Sequence, residues 1–109
     1  MTERAFTAKL LRALRFHAAL KSAVVWKIND RTTGGIPDIL ISTSEGRTTF
    51  WEVKLYPNRP TKLQAYYLNK LRFSWCIYFS DSGIRIPPTA EIFGFTDAVE
   101  EIVHRCLYA

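Results

Sequence analysis

The sequence predicts one α/β domain, a mixed sheet of four to five strands flanked by helices, in the order α-β-β-β-α-β followed by a β/α tail. Three observations predict it. A length of 109 residues provides for one hydrophobic core but not two. An apolar fraction of 48% argues against disorder. Short β-prone runs alternate with stretches whose apolar residues recur at helical spacing, and turn signals separate them.

The elements follow in order. Thr2 can cap a helix over residues 3–20, with Phe6, Leu10, Ala13, Leu14 and Leu20 as its apolar stripe. His17 has no ligand-type partner at helical spacing and is assigned no role. Residues 23–28 (AVVWKI) read as a first strand, in which Lys27 faces either a groove or solvent. A polar loop over 29–33 carries Arg31, either a phosphate contact or a solvated side chain. Gly34 and Gly35 permit backbone dihedrals or close approaches that other residues resist, and Pro37 suits a strand start. Strands over 38–43 and 48–55 flank the turn signal Ser44-Glu45-Gly46.

After the break YPNRP, Thr61 opens a helix to about Leu71, with Thr61 and Gln64 at capping-box spacing. A fourth strand follows over 75–80 and a short edge strand over 84–86. Thr96 or Asp97 caps a last helix to about Leu107, and Asp97 with Glu100 fits a reciprocal capping pattern. The apolar face of that helix covers the sheet or meets a second subunit. The second and third strands form a hairpin, and the helix between the third and fourth implies a parallel pair.

Charges interrupt the most apolar part of the chain. The stretch 34–54, GGIPDILISTSEGRTTFWEVK, places Asp38, Glu52 and Lys54 within core-type strands. A buried charge is expensive unless it is paired or holds a metal. Two carboxylates converging from adjacent strands offer oxygen ligands to a hard divalent cation such as Mg²⁺. Lys54, two residues after Glu52, lies on the same side of its strand and can stabilise charge developing on a phosphate. An interior ion pair among the same residues would satisfy the charges without chemistry. A shared site requires Asp38 to stand opposite Glu52. A three-residue turn 44–46 gives that register, and a two-residue turn at Glu45-Gly46 does not.

Gly-Ile-Pro-Asp at 35–38, thirteen intervening residues and then Glu52-Val53-Lys54 resemble the PD-(D/E)xK nuclease superfamily. With Gly34-Gly35 before and Gln64 after, the chain is most similar to the VRR-NUC (virus-type replication-repair nuclease) domains, and through them to archaeal-type Holliday junction resolvases. The resemblance covers roughly residues 3–80. It implies a restriction-endonuclease-like core and Mg²⁺-dependent hydrolysis of DNA, Mn²⁺ substituting, by a structure-selective endonuclease acting on branched, junction or flap substrates. It also implies a homodimer with two active sites. Asp38, Glu52 and the Val53 carbonyl would hold the metal, Lys54 and Gln64 would assist, and Glu3 near the start of the first helix would join them. Glu3 read by itself is an acid stabilised by the helix dipole, and Gln64 read by itself is a capping residue.

Charge agrees with a polyanionic partner. Residues 1–72 hold 13 Lys/Arg against 5 Asp/Glu, a net of +8, and residues 73–109 hold 2 against 5, a net of −3. Lys27, Arg31, Gly35, Arg59 and Lys62 are the candidate nucleic-acid contacts. Cys76 and Cys106 form no metal-ligand or redox spacing and read as buried free thiols. No apolar run approaches the ~18–20 residues of a membrane span, and the first helix lacks a signal peptide's apolar stretch, so a cytoplasmic protein is expected. A binding module without turnover, or a small interaction domain with interior ion pairs, are the alternatives.

Overall fold

In the computed structural model, residues 1–28 and 34–108 are described. The elements are α1 (Glu3–Arg15), a 3₁₀ turn at Ala18–Leu20, β1 (Val24–Lys27), β2 (Ile39–Ser42), β3 (Thr48–Leu55), α2 (Lys62–Lys70), β4 (Ser74–Ser80), β5 (Gly83–Arg85) and α3 (Phe95–Tyr108). Five strands form one mixed sheet in sequence order, β1-β2-β3-β4-β5. All neighbours pair antiparallel except β3 and β4, which are parallel across α2.

The sheet has two unlike faces because its side chains alternate. Val25, Ile39, Ile41, Trp51, Val53, Ile77 and Phe79 point to one face and are buried there. On that face α1 contributes Phe6, Leu10, Leu11 and Leu14, and α3 contributes Ala98, Val99, Ile102, Val103 and Cys106. Phe6 stacks on Phe79 with ring centroids 4.1 Å apart. The other face carries Leu40, Phe50, Glu52, Lys54, Cys76 and Tyr78, and α2 lies over part of it. Thr49 shows how the core side admits a polar group. Its hydroxyl donates to the Ile41 carbonyl, accepts from Trp51 Nε1 at 2.9 Å and contacts Cys106 Sγ.

The hairpin turn has three residues. Thr43 N–H donates to the Arg47 carbonyl at 2.8 Å, Gly46 N–H donates to the Thr43 carbonyl at 3.0 Å, and Gly46 takes φ +84°, a conformation that favours glycine. The resulting register pairs Ile39 with Trp51 and Ser42 with Thr48, so Asp38 stands opposite Glu52.

Two helix boundaries differ from the sequence expectation. The first helix ends at Arg15 rather than Leu20. His17 is extended there, its Nδ1 accepts from Ala19 N–H at 3.0 Å to cap the 3₁₀ turn, and its Nε2 meets Glu100 Oε1 at 2.8 Å. A residue assigned no role thus ends one helix and ties it to another. The last helix begins at Phe95, with Ala98 N–H bonded to the Gly94 carbonyl, so neither Thr96 nor Asp97 caps it. Glu100 is committed to His17 and makes no reciprocal cap. The apolar face of α3 is buried against this chain's own core.

Candidate active site

The site forms where β2 ends before β3 does. Pro37, next in register opposite Val53, has no N–H to donate to the Val53 carbonyl, and β3 runs on past β2 with the N–H groups of Val53 and Leu55 on that edge. Carboxylates meet both. Asp38 Oδ2 accepts from Val53 N–H at 2.8 Å, and Glu3 Oε2 accepts from Leu55 N–H at 3.0 Å. A residue's N–H and C=O leave a strand on the same side, so the Val53 carbonyl opens onto this edge between the two acids. Asn58 Nδ2 also donates to Glu3 Oε2, at 3.2 Å.

Glu52 stands on the α2 face with only 3% of its surface exposed. Its Oε1 accepts from Gln64 Nε2 at 3.2 Å and lies 3.9 Å from Lys54 Nζ. Its Oε2 is buried and has no hydrogen-bond partner. Burial, reinforced by the neighbouring Asp38 carboxylate and weakly by Glu3, pushes the Glu52 carboxyl up to about 8, with Lys54 opposing. Either a proton shared with Asp38 or a cation would give Oε2 its missing partner.

Gln64 serves two roles at once. Thr61 Oγ1 accepts from Gln64 N–H at 3.2 Å, and Gln64 Oε1 accepts from Thr61 N–H at 2.9 Å. This capping box uses the amide oxygen and leaves the amide nitrogen for Glu52. Gly35 explains how α2 comes so near. At φ +44° the loop before β2 presses on Leu63, and a Cβ at Gly35 would stand 2.6 Å from Leu63 Cγ.

The remaining sequence candidates fall in different places. Lys27 pairs with Ile39 and so belongs to the α1/α3 face, away from Glu52. Trp26, paired with Leu40, and Val24, paired with Ser42, are the β1 side chains on the site face, and both are exposed. Arg59 follows β3, with its guanidinium 5.8 Å from the Tyr56 ring centroid and 5.3 Å from that of Tyr78. Lys62 opens α2 and is exposed. Arg31 lies outside the described residues. Among the described residues, no group of three or more His, Cys, Asp or Glu is placed to hold a metal ion. The candidate ligand set is therefore two carboxylates and a main-chain carbonyl, with Glu3 bonded to the backbone beside them.

Sequence reasoning missed Tyr78 and Arg85. The β3–β4 register pairs Glu52 with Cys76 and Lys54 with Tyr78, and the β4–β5 register pairs Tyr78 with Arg85. Both therefore share the site face. The alternation within WCIYFS signals Tyr78 once the parallel register is known. Cys76 and Cys106 are free, and burial raises both thiols, Cys76 to about 11. No helix among the described residues is long and apolar enough to cross a membrane. In comparisons with known proteins, the chain matches no family model, no curated protein and no solved structure.

Proposed function

We propose that the chain is a divalent-metal-dependent nuclease hydrolysing phosphodiester bonds in DNA, with Asp38, Glu52 and Lys54 as its catalytic residues and Gln64 positioning Glu52. One observation carries this reading: Glu52 is buried beside a second carboxylate, and its Oε2 has no donor other than a proton shared with Asp38. A purely structural ion pair leaves its buried oxygens satisfied. The donor set of Asp38, Glu52 and the Val53 carbonyl fits a hard cation that keeps several waters. Mg²⁺ held there, or Mn²⁺ in its place, would lower the pKa of a bound water and offset charge on a phosphate oxygen.

The chain's own groups supply the rest. The Lys54 ammonium, tethered within 3.9 Å of Glu52, stands where it can donate to the attacking water or to the phosphate oxygen that gains charge. Gln64 is a positioning residue for Glu52, since its own orientation is fixed by the cap of α2. The basic excess of residues 1–72 supports binding to a polyanion. The resemblance to VRR-NUC domains adds the expectation of branched or flap DNA and a homodimer.

The test is a panel of linear, flap, single-stranded and four-way DNA incubated with Mn²⁺, with EDTA as control. Cleavage of at least one substrate that stops in EDTA is expected, and an inert protein across the panel would remove the enzymatic reading. A binding module without turnover is the second reading. It is favoured by the engagement of Asp38 and Glu3 with β3 amides, which gives both acids a structural duty. Under either reading log K should fall with log salt by about 0.9 per neutralised phosphate, for about three to six contacts per subunit. A binding constant flat between low and physiological salt would exclude both.

A further inference from the structure

The site face of the sheet continues past the acids, and its character changes within one residue step. The row Asp38, Glu52, Cys76 is acidic. The next row, Lys54, Tyr78, Arg85, is cationic and aromatic. Beyond it, over β4 and β5, lies an open cleft of about 510 Å³ lined by Tyr56, Arg59, Tyr78, Arg85, Ser82 and Thr89 among others. Arg59 leans over both tyrosine rings, and Tyr56 is 54% exposed. Among the described residues neither Arg59 nor Arg85 pairs with a carboxylate. Two guanidiniums without a carboxylate partner (Arg59, which is bonded to Tyr78, and Arg85) stand with two tyrosine rings and a set of hydroxyls around one cleft and match the parts of a nucleotide: phosphate, base face and sugar edge.

We propose that this cleft is a subsite for one unpaired nucleotide of the bound strand, next to the bond that would be cleaved at the Asp38–Glu52 site. The proposal rests on the nuclease reading for its direction along the strand, since Lys54 pairs with Tyr78 and joins cleft to acids. Arg85 and Arg59 hold the flanking phosphate, and the base lies against the tyrosine rings. A base inside a continuous duplex is stacked and paired and cannot enter. The cleft therefore selects strands with an unpaired nucleotide beside the cleaved bond.

The test separates this subsite from catalysis. Full-length protein in EDTA is titrated with the trinucleotide pTpTpT and separately with dTMP, and binding is followed by tyrosine fluorescence and amide shifts. The expected result is trinucleotide binding with shifts at residues 78–85, weakened about tenfold or more in both Arg85→Ala and Tyr56→Ala. The trinucleotide should bind more tightly than dTMP, because the subsite belongs to a strand. Unchanged binding in both variants, shifts confined to other regions, or equal binding of dTMP and pTpTpT would overturn the proposal. A protein that binds pTpTpT here but cleaves nothing with Mn²⁺ would keep the subsite and refute the nuclease reading. Cleavage by a protein whose Arg85→Ala and Tyr56→Ala variants bind pTpTpT normally would do the reverse.

Discussion

Among the described residues two charged side chains are almost fully buried, and they are treated in opposite ways. Arg105 on α3 is 6% exposed. Its Nε donates to Glu101 Oε1 at 3.0 Å, its Nη1 to the Pro87 carbonyl at 2.8 Å and its Nη2 to the Ile86 carbonyl at 3.3 Å. Glu52 is 3% exposed, faces a second carboxylate and leaves one oxygen without a partner. Arg105 pins the chain after β5 to α3, and every nitrogen of its guanidinium has an acceptor. Glu52 is held by groups that orient it without completing it. Arg47 is intermediate. Its Nε and Nη2 lack hydrogen bonds, but its guanidinium lies 4.0 Å from the Phe73 ring centroid, an arrangement in which the ring face takes part of the charge. The comparison teaches that burial of charge alone singles out no candidate site: Arg105 is buried and satisfied, whereas Glu52 is buried beside like charge.

The largest expected effect lies at the incomplete charge. Asp38→Asn, Glu52→Gln and Lys54→Ala should each lower the Mn²⁺-dependent cleavage rate by about 10²–10³ or more, with DNA affinity largely retained. Parent-like cleavage by Asp38→Asn would make that acid a strand cap only. At the complete charge the effect should appear in stability. Arg105→Ala strips two carbonyls and Glu101 of their donor and should cost about 2–3 kcal/mol in urea unfolding. A loss below about 0.5 kcal/mol would erase the contrast with Glu52.

The same contrast has a pH signature. The Glu52 carboxyl is raised from 4.5 to about 8, so the metal-free folded state binds more protons than the unfolded chain between those values. The contribution of this group to stability is present at low pH and is lost as pH rises from about 4.5 through about 8. Glu52→Gln should abolish that slope and be the more stable protein at pH 8.5. Thermal melts of both proteins from pH 5 to 9 in EDTA decide it, and parallel curves would refute the strained carboxyl. The smallest effects concern two glycines, Gly35 before the hairpin and Gly46 in its turn. Gly35→Ala meets both a left-handed φ and Leu63, and should displace α2 and weaken cleavage. Gly46→Ala meets open space and pays only the left-handed conformation, about 1–2 kcal/mol. Equal losses of activity in the two would argue that α2 does not position Glu52.

Much of the fold was legible in the sequence for local reasons. The three-residue turn was favoured locally, because Glu45-Gly46 is not the Asn-Gly or Asp-Gly that a two-residue turn wants and Gly46 supplies the positive φ, and that register set Asp38 opposite Glu52. The parallel pair followed from the helix between the third and fourth strands. The errors lay where a distant partner overrode local preference. Residues 16–20 keep helical spacing, but His17 is drawn to Glu100, eighty-three positions away. The start of α3 is set by Gly94 and the bridge between Ile84 and Phe93 rather than by its capping-type residues. The acids of the site were visible as charges in apolar strands. Tyr78 and Arg85 were not, because their face depends on the β3–β4 and β4–β5 registers, which no local signal encodes.

The central claim is that Asp38 and Glu52 together hold one divalent cation. Calorimetric titration of Mn²⁺ into the metal-free protein at pH 7, in two buffers of different ionisation enthalpy, tests it most directly. The account predicts one ion per chain and release of close to one proton, since Glu52 is protonated before the metal arrives, with binding lost in both Asp38→Asn and Glu52→Gln. Absence of binding in the parent, or Mn²⁺ binding that survives in both variants, would contradict it.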